Sequence, residues 1–539
     1  MNRGIIWLLL AYILAMPAYA ELPAFPGAEG DGAYSLGGRA GKVLIVDRLD
    51  DPCPTKACTT EDLADPSKLI PGTLRWALMQ PYPRTVVFRV SGVIELLKDE
   101  LSLDTKALKN DKDSAAWHEK AHAVSIQRLG NIRIKSPYLT VAGQTAPAGG
   151  ITIKNNGITI LTHDVVLRYL RFRTGRQLPV FDAQQTPETL MIENKASAVM
   201  IDHCSFSWMP AEGLSIYTGE LWDGSKGTAN DITVSWSLIG EGLVRHADGR
   251  GHPSAAFMAG YEGDPNYAAE RVSLHHNLLV HTQKRNGDLL TKQGQLINNL
   301  IYNWQWLPTV LAGAVRADVI GNTWKAGPIT LTDYDQQRGG IHLVPAARAQ
   351  KQKDPDGWWD GVPGEPSLYL QDNRYLLAGD TAKDKVDVLC AYQTRAQPCE
   401  AKLPADWLRA KALTTNGVAI TTQSAIDAEQ LVLAQVGANQ RINSLGQWVN
   451  NRDPIDQRYV DEYRTGTYLR KAFPFEEAEV GGFPVQIEGE PYPDQDKDGI
   501  SDLWEQKQGL NPADANDAAK EAPEKGGYTW LELFINGAI

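Results

Sequence analysis

The sequence predicts an all-β chain, a right-handed parallel β-helix with a long irregular covering region and a small helical tail. Three observations predict it. First, one unit is repeated between Val272 and Trp324. Val272-Ser-Leu-His-His-Asn-Leu-Leu-Val, Leu296-Ile-Asn-Asn-Leu-Ile-Tyr-Asn and Val319-Ile-Gly-Asn-Thr-Trp put Asn277, Asn299 and Asn322 in one slot, at intervals of 22 and 23 residues. Second, each unit is a short apolar strand, a polar turn and another apolar strand. Such a unit cannot bury its own apolar face and must stack on its neighbours. Third, Ile201-Asp-His-Cys-Ser-Phe-Ser and Thr233-Val-Ser-Trp-Ser-Leu-Ile fit the same template at irregular spacing, so loops are inserted between some turns. Asn suits the repeated corner: it tolerates the left-handed conformation, and its amide can hydrogen-bond to an equivalent Asn above.

The elements follow in order. Residues 1–20 combine a basic start, an apolar run from Ile5 to Ala15 and Ala18-Tyr-Ala20, the pattern of a secretory signal cleaved after Ala20. That run is too short to span a bilayer, and no membrane partner is expected. Residues 21 to about 45 are Gly-rich loop sequence. Short β-rich pieces follow at Lys42–Val46, Thr85–Val90, Leu139–Ala142, Ile151–Ile153 and Val165–Phe172. Gly72 to Met79 has helical spacing and suits a cap on the open end of the solenoid. The β-helix is expected over 21–325. An irregular extension packed on it follows over 326–485, with one helical patch at Ala425–Val436, and a separate tail over 486–539.

Charge and cysteine usage narrow the function classes. A formal net charge of −12 argues against a nucleic-acid partner but leaves room for a local basic groove facing an acidic polymer. Among the five cysteines, Cys53 with Cys58 and Cys390 with Cys399 read as small disulfide clips of an exported protein. Cys204 is left over, as a buried structural thiol. A secreted or periplasmic monomer is expected.

Phe25-Pro-Gly-Ala-Glu-Gly, Gly37-Gly-Arg, Gly72-Thr-Leu-Arg, Val141-Ala-Gly-Gln-Thr-Ala-Pro, Leu167-Arg-Tyr-Leu-Arg-Phe-Arg and Ile201-Asp-His-Cys-Ser-Phe-Ser-Trp occur in that order. Over roughly residues 24–325 the chain thereby resembles the secreted pectate lyases of polysaccharide lyase family 1. The resemblance implies a parallel β-helix with a cleft along one face, an acidic, pectate-like polysaccharide as partner, and β-elimination assisted by Ca2+. That chemistry removes the C5 proton of a uronate, so the adjacent carboxylate must be neutralised and developing negative charge stabilised.

Carried onto this chain, the resemblance makes Arg285 the candidate catalytic residue, after His275-His276-Asn277. The family's proline two positions on is Gly287 here, and a following basic residue is Asp288. Because an arginine is normally charged, Arg285 is either a base in a strongly altered site or a clamp on a carboxylate. Glu188, Glu193 and Glu212 fall where the family has acidic calcium ligands; otherwise they are solvated strand-edge residues. The acidic residue that usually precedes Glu212 is Ala211, and Ser215 fills a position that is acidic in some relatives. Arg168, Arg171 and Arg173 alternate along the sequence as on one strand face. They form either a row for uronate carboxylates or a row pairing with acidic neighbours. His246, His252 and His276 are candidates for the cleft, and neutral histidines there are reserve proton acceptors.

Asp494-Gln-Asp496-Lys-Asp498-Gly499-Ile500-Ser-Asp502-Leu-Trp-Glu505 fills every slot of a twelve-residue calcium loop, with Ile500 offering its carbonyl. A helix is expected from Trp504 and another at Thr529–Ile535, and the loop reads as a structural staple. Two other functions keep the fold. A glycoside hydrolase needs two carboxylates flanking the bond, for which Asp182, Glu188 and Asp202 are available. A β-helix that binds polysaccharide without cleaving it would fit Ala211 and Gly287.

Overall fold

The computed structural model describes residues 22–55, 60–97, 131–175, 189–221, 224–244, 254–330, 340–344, 362–376, 389–391, 403–523 and 525–537. Parallel strands stack into three long sheets around one apolar core. One coil shows the plan. His163–Arg168 lies in the first sheet, Arg171–Arg173 in the third and Leu190–Ile192 in the second, before Ser197–Asp202 returns beside His163–Arg168. Alternate residues point inward, so Val165, Leu167, Phe172, Leu190 and Ile192 are all buried in the core. Phe172 stacks on Phe206 of the next coil at 4.9 Å.

The corner between the first and third sheets is made by one left-handed residue per coil. Tyr169, His203, Trp236, His276 and Asn298 have φ between +49° and +55°. The repeated Asn follows this residue instead of occupying it, so the left-handed conformation is not its role. Its role is a ladder. Asn277 Nδ2 donates to Asn299 Oδ1, Asn299 to Asn322 and Asn322 to Asn373, each at 3.0 Å. Toward the N-terminus, the Ser237 N–H donates to Asn277 Oδ1 at 2.8 Å and the Cys204 N–H to Ser237 Oγ at 3.1 Å. The amides thus satisfy backbone groups that a buried corner would otherwise strand.

Two expectations change. The solenoid does not stop at Lys325: Ile341–Val344, Ser367–Gln371, Arg374–Leu376 and Leu389–Ala391 extend all three sheets. The polar and Pro-rich stretches between them hide the period. The apolar run at 165–172 is also two strands, bent at Tyr169. Arg168 therefore lies on the first sheet while Arg171 and Arg173 lie on the third.

The outer faces are largely covered. Glycines let the N-terminal segment lie flat on the first sheet: a Cβ on Gly32 would meet the Val199 carbonyl at 2.3 Å, and the Gly32 N–H donates to Thr233 Oγ1. The helix Leu74–Met79, capped by Thr73, packs its Leu74, Ala77 and Leu78 into the core at the N-terminal end. Helices Ala425–Gln435 and Pro454–Thr465 lie on the third sheet, where Val432, Val436, Tyr459 and Tyr463 meet Leu238, Leu278, Val280 and Leu300. The second of these helices was not expected. Cys204 is free and buried, and Cys53 is disulfide-bonded. Cys58 and Cys399 lie outside the described residues, as do residues 1–21. No helix among the described residues is long and apolar enough to cross a membrane.

Candidate functional site

Arg285 lies on the second sheet, in the strand Lys284–Leu289. This strand contains a bulge: its pairing with Ala255–Glu262 shifts between Phe257 and Met258, leaving Gly287 as the extra residue. Arg285 has φ +59° and Gly287 φ +96°. Proline cannot take that angle, so Gly287 answers a backbone demand and is not a sign of decay. Ala255 stands in register between Lys284 and Glu212 and is too small to intervene. The Arg285 guanidinium donates to the Glu212 carboxylate across it, and both side chains are buried.

Asp288 joins this group. It is buried on the outer face of the second sheet, in register with Met258 and, through it, Ser215. Its Oδ1 accepts the Val310 N–H at 2.8 Å. Burial pushes its carboxyl up to about 7, against the opposing pull of Arg285 and Lys284. It is the carboxylate on this strand whose charge changes near neutral pH.

The other expected ligands do not assemble here. Leu190 pairs with Leu214, so Glu212 lies two residues before this level and Glu193 three residues beyond it, five residues apart along the sheet. At the rise of a strand that is roughly 16 Å, too far for one ion to be held by both glutamates. Glu193 instead sits 3.5 Å from Arg133. Glu188, His246, His252 and Asp182 lie outside the described residues.

The three arginines serve packing. Arg168 pairs with Asp202 at 2.7 Å and lies 3.6 Å from the Phe25 ring centroid. Arg171 and Arg173 are buried beneath the covering segment. Arg171 donates to the Ala438 and Asn451 carbonyls, and Arg173 pairs with Asp453 and Asp456. They do not form a shared row for a substrate. His276 is also buried, its ring stacked on Trp236 at 4.2 Å and its Nε2 2.6 Å from Gln423 Oε1. It ends an aromatic column that runs through Trp236 and His203 to Tyr169. Asp202, one of the carboxylates a hydrolase would need, is committed to Arg168, His203 and Ser235.

No family model matches the chain. Among curated proteins, it is 28% identical over 536 residues to one described as probable pectate lyase C of Emericella nidulans, covering 98% of this chain and 96% of that one. Its relation to that chain runs from end to end. The chain resembles the pectate lyases. A second relative of the same description, from Aspergillus terreus, is 27% identical over 530 residues, covering 96% of this chain and 95% of its own. Among solved structures, a thermostable pectate lyase matches at a TM-score of 0.48 with 14% identity, covering 78% of this chain and 98% of its own. A Bacillus subtilis pectate lyase matches at 0.45 with 15% identity, covering 79% and 99%.

A second group of carboxylates lies in the tail. Ligand atoms of Asp494, Asp496 and Asp498 fall within 4.8 Å of one another, and so do those of Asp498, Glu505 and Asp517. Burial and neighbouring negative charges push Asp498 up to about 7 and Glu505 up to about 8, so each strongly favours a nearby cation. Asp502 belongs to neither group, and its Oδ1 accepts the Gln495 N–H at 2.8 Å. Asp517 was not foreseen. The acidic spacing of Asp514 and Asp517 after Asn511-Pro512 was the available signal.

Proposed function

We propose that this protein is a secreted polysaccharide lyase that cleaves a pectate-like uronan by calcium-assisted β-elimination. The observation that carries the reading is the end-to-end likeness to proteins described as pectate lyase C. The β-helix with an arginine on the second strand after His275-His276-Asn277 agrees with it. Arg285, positioned by its hydrogen bond to Glu212, neutralises the uronate carboxylate next to C5 and stabilises the charge that develops as the proton leaves. The clamp role suits Arg285 better than a base role, because a guanidinium is in general a poor proton acceptor. The tail loop is a calcium position, structural in role. Residues 1–20 direct export.

The test is incubation of the mature chain with polygalacturonate, with calcium or with chelator. Elimination creates an unsaturated uronide that absorbs in the ultraviolet. Calcium-dependent growth of that absorbance supports the reading. New reducing ends without it would mean hydrolysis, and no new ends would mean binding alone.

A further inference from the structure

This inference rests on reading residues 494–505 as a cation loop. We propose that Asp517, not Asp502, completes one calcium site in the tail, and that the bound ion fastens the tail to the first coils of the β-helix. Asp498 belongs to both clusters of ligand atoms, so the group of Asp494 and Asp496 and the group of Glu505 and Asp517 meet at its carboxylate. Glu505 is fully buried, and neither of its carboxylate oxygens has a hydrogen-bond partner. Asp517 is 4% exposed and its Oδ1 also lacks a partner, as do Asp494 Oδ1, Asp496 Oδ2 and Asp498 Oδ2. A shielded carboxylate oxygen without a donor is satisfied by a proton or a cation, and several such oxygens brought together fit a shared cation. The positive side chain paired with the group is Arg89, 3.3 Å from the other oxygen of Asp494. An all-oxygen set with a glutamate at loop position twelve suits calcium better than magnesium, which keeps waters and strict octahedral geometry.

The mechanical consequence follows from what each ligand is attached to. Gly499 lies against Val43 and Val87, on the first two strands of the first sheet. The Tyr492 hydroxyl donates to the Gly499 carbonyl at 2.9 Å, and Arg89 stacks over the Tyr492 ring. Asp517 adjoins Ala518, whose carbonyl accepts the Leu531 N–H at 3.1 Å, so this ligand is tied to the helix Trp530–Ile535. That helix holds Arg39 through Glu532, and its last carbonyl accepts from Gln144. One ion therefore joins the loop on the first two strands to the helix on the third.

The experiment uses the full mature chain, stripped with chelator and titrated with calcium by calorimetry. Wild type is compared with Asp498→Asn, Asp517→Asn and Asp502→Asn, and the difference between wild type and Asp498→Asn isolates this site. Asp517→Asn should weaken the site by about tenfold or more, the scale of losing support to a bound metal, while Asp502→Asn stays within about threefold. Hydrogen exchange on the wild type is the second measurement: calcium should slow exchange in 510–537 together with 492–508. Loss of binding in Asp502→Asn but not in Asp517→Asn overturns the inference and leaves the loop reading standing, as does calcium protection confined to 492–508. If wild type and Asp498→Asn titrate identically, the loop reading falls and takes the inference with it.

Discussion

At the scale of single residues, the chemistry turns on Arg285, Glu212 and Asp288. Arg285→Ala should lower kcat on polygalacturonate by about a hundredfold or more, the scale of removing one charge-stabilising donor, with circular dichroism unchanged. Glu212→Gln keeps the shape but loses the charge that holds Arg285, so it should lower kcat by a smaller factor in the same assay. Asp288 governs pH dependence. Its carboxyl sits near 7 when folded and near 3.9 when unfolded, so the unfolded chain releases the proton first as pH rises. Its contribution to stability is full below about pH 4 and is lost between about pH 4 and pH 7. His275 and His342 act the other way. Burial lowers them to about 3 and about 4, so their contribution is present above about pH 6.5 and is lost as pH falls. In wild type the two trends offset one another. Asp288→Asn should therefore raise Tm at pH 7.5 and expose a steeper fall in Tm between pH 6.5 and pH 4.5, read by calorimetry.

At the scale of elements, the coil is held by its corner. Asn299 donates to Asn322 and to the Leu274 carbonyl, and accepts from the Asn277 N–H. Asn299→Ala should cost about 2–4 kcal/mol in denaturant unfolding, because it strands buried partners on two coils. Asn322→Asp should also destabilise, since one donor of the link becomes an acceptor. Gly287→Ala puts a side chain at φ +96° against Leu274 and should cost about 1–3 kcal/mol. These elements also show what the sequence carries. The repeat at Asn277, Asn299 and Asn322 was legible because no loop interrupts it. Asn373 was not, since 51 residues separate it from Asn322. The helix Pro454–Thr465 carried its own signals: Asp453 as N-cap, Pro454 at the first position and Gly466 at the end. The site was harder to read. Arg171 and Arg173 do alternate, but Arg168 stands three residues before Arg171, an odd spacing that on a single strand would already put it on the other face, and nothing local marks Tyr169 as a corner. Glu193 and Glu212 looked like partners for want of a register.

At the scale of the whole molecule, charge is spent on fastening the cover to the solenoid. Arg173 is held by Asp453 and Asp456, and Asp456 also accepts the Ser205 hydroxyl. On the same helix Arg458 and Tyr459 close on buried Glu241. Arg173→Met leaves buried Asp456 without its direct ion-pair partner, while Asp453 keeps Arg171 at 3.4 Å, and should destabilise by about 3–5 kcal/mol. Arg173→Met with Asp456→Leu should recover part of that loss, which a double-mutant cycle in guanidinium measures. The full-length likeness to its relatives includes this cover, and so does the core it completes.

The asparagine column has a consequence for how such a molecule can change length. Each rung presents the same donor to the coil on one side and the same acceptor to the coil on the other, so the top of a turn matches its own underside. A stretch of 22 or 23 residues between successive rungs can thus be copied in tandem, and the copy finds a complementary seat at once. Among the described residues the column runs from the Cys204 N–H, which donates to Ser237 Oγ, to Asn373, which accepts from Asn322.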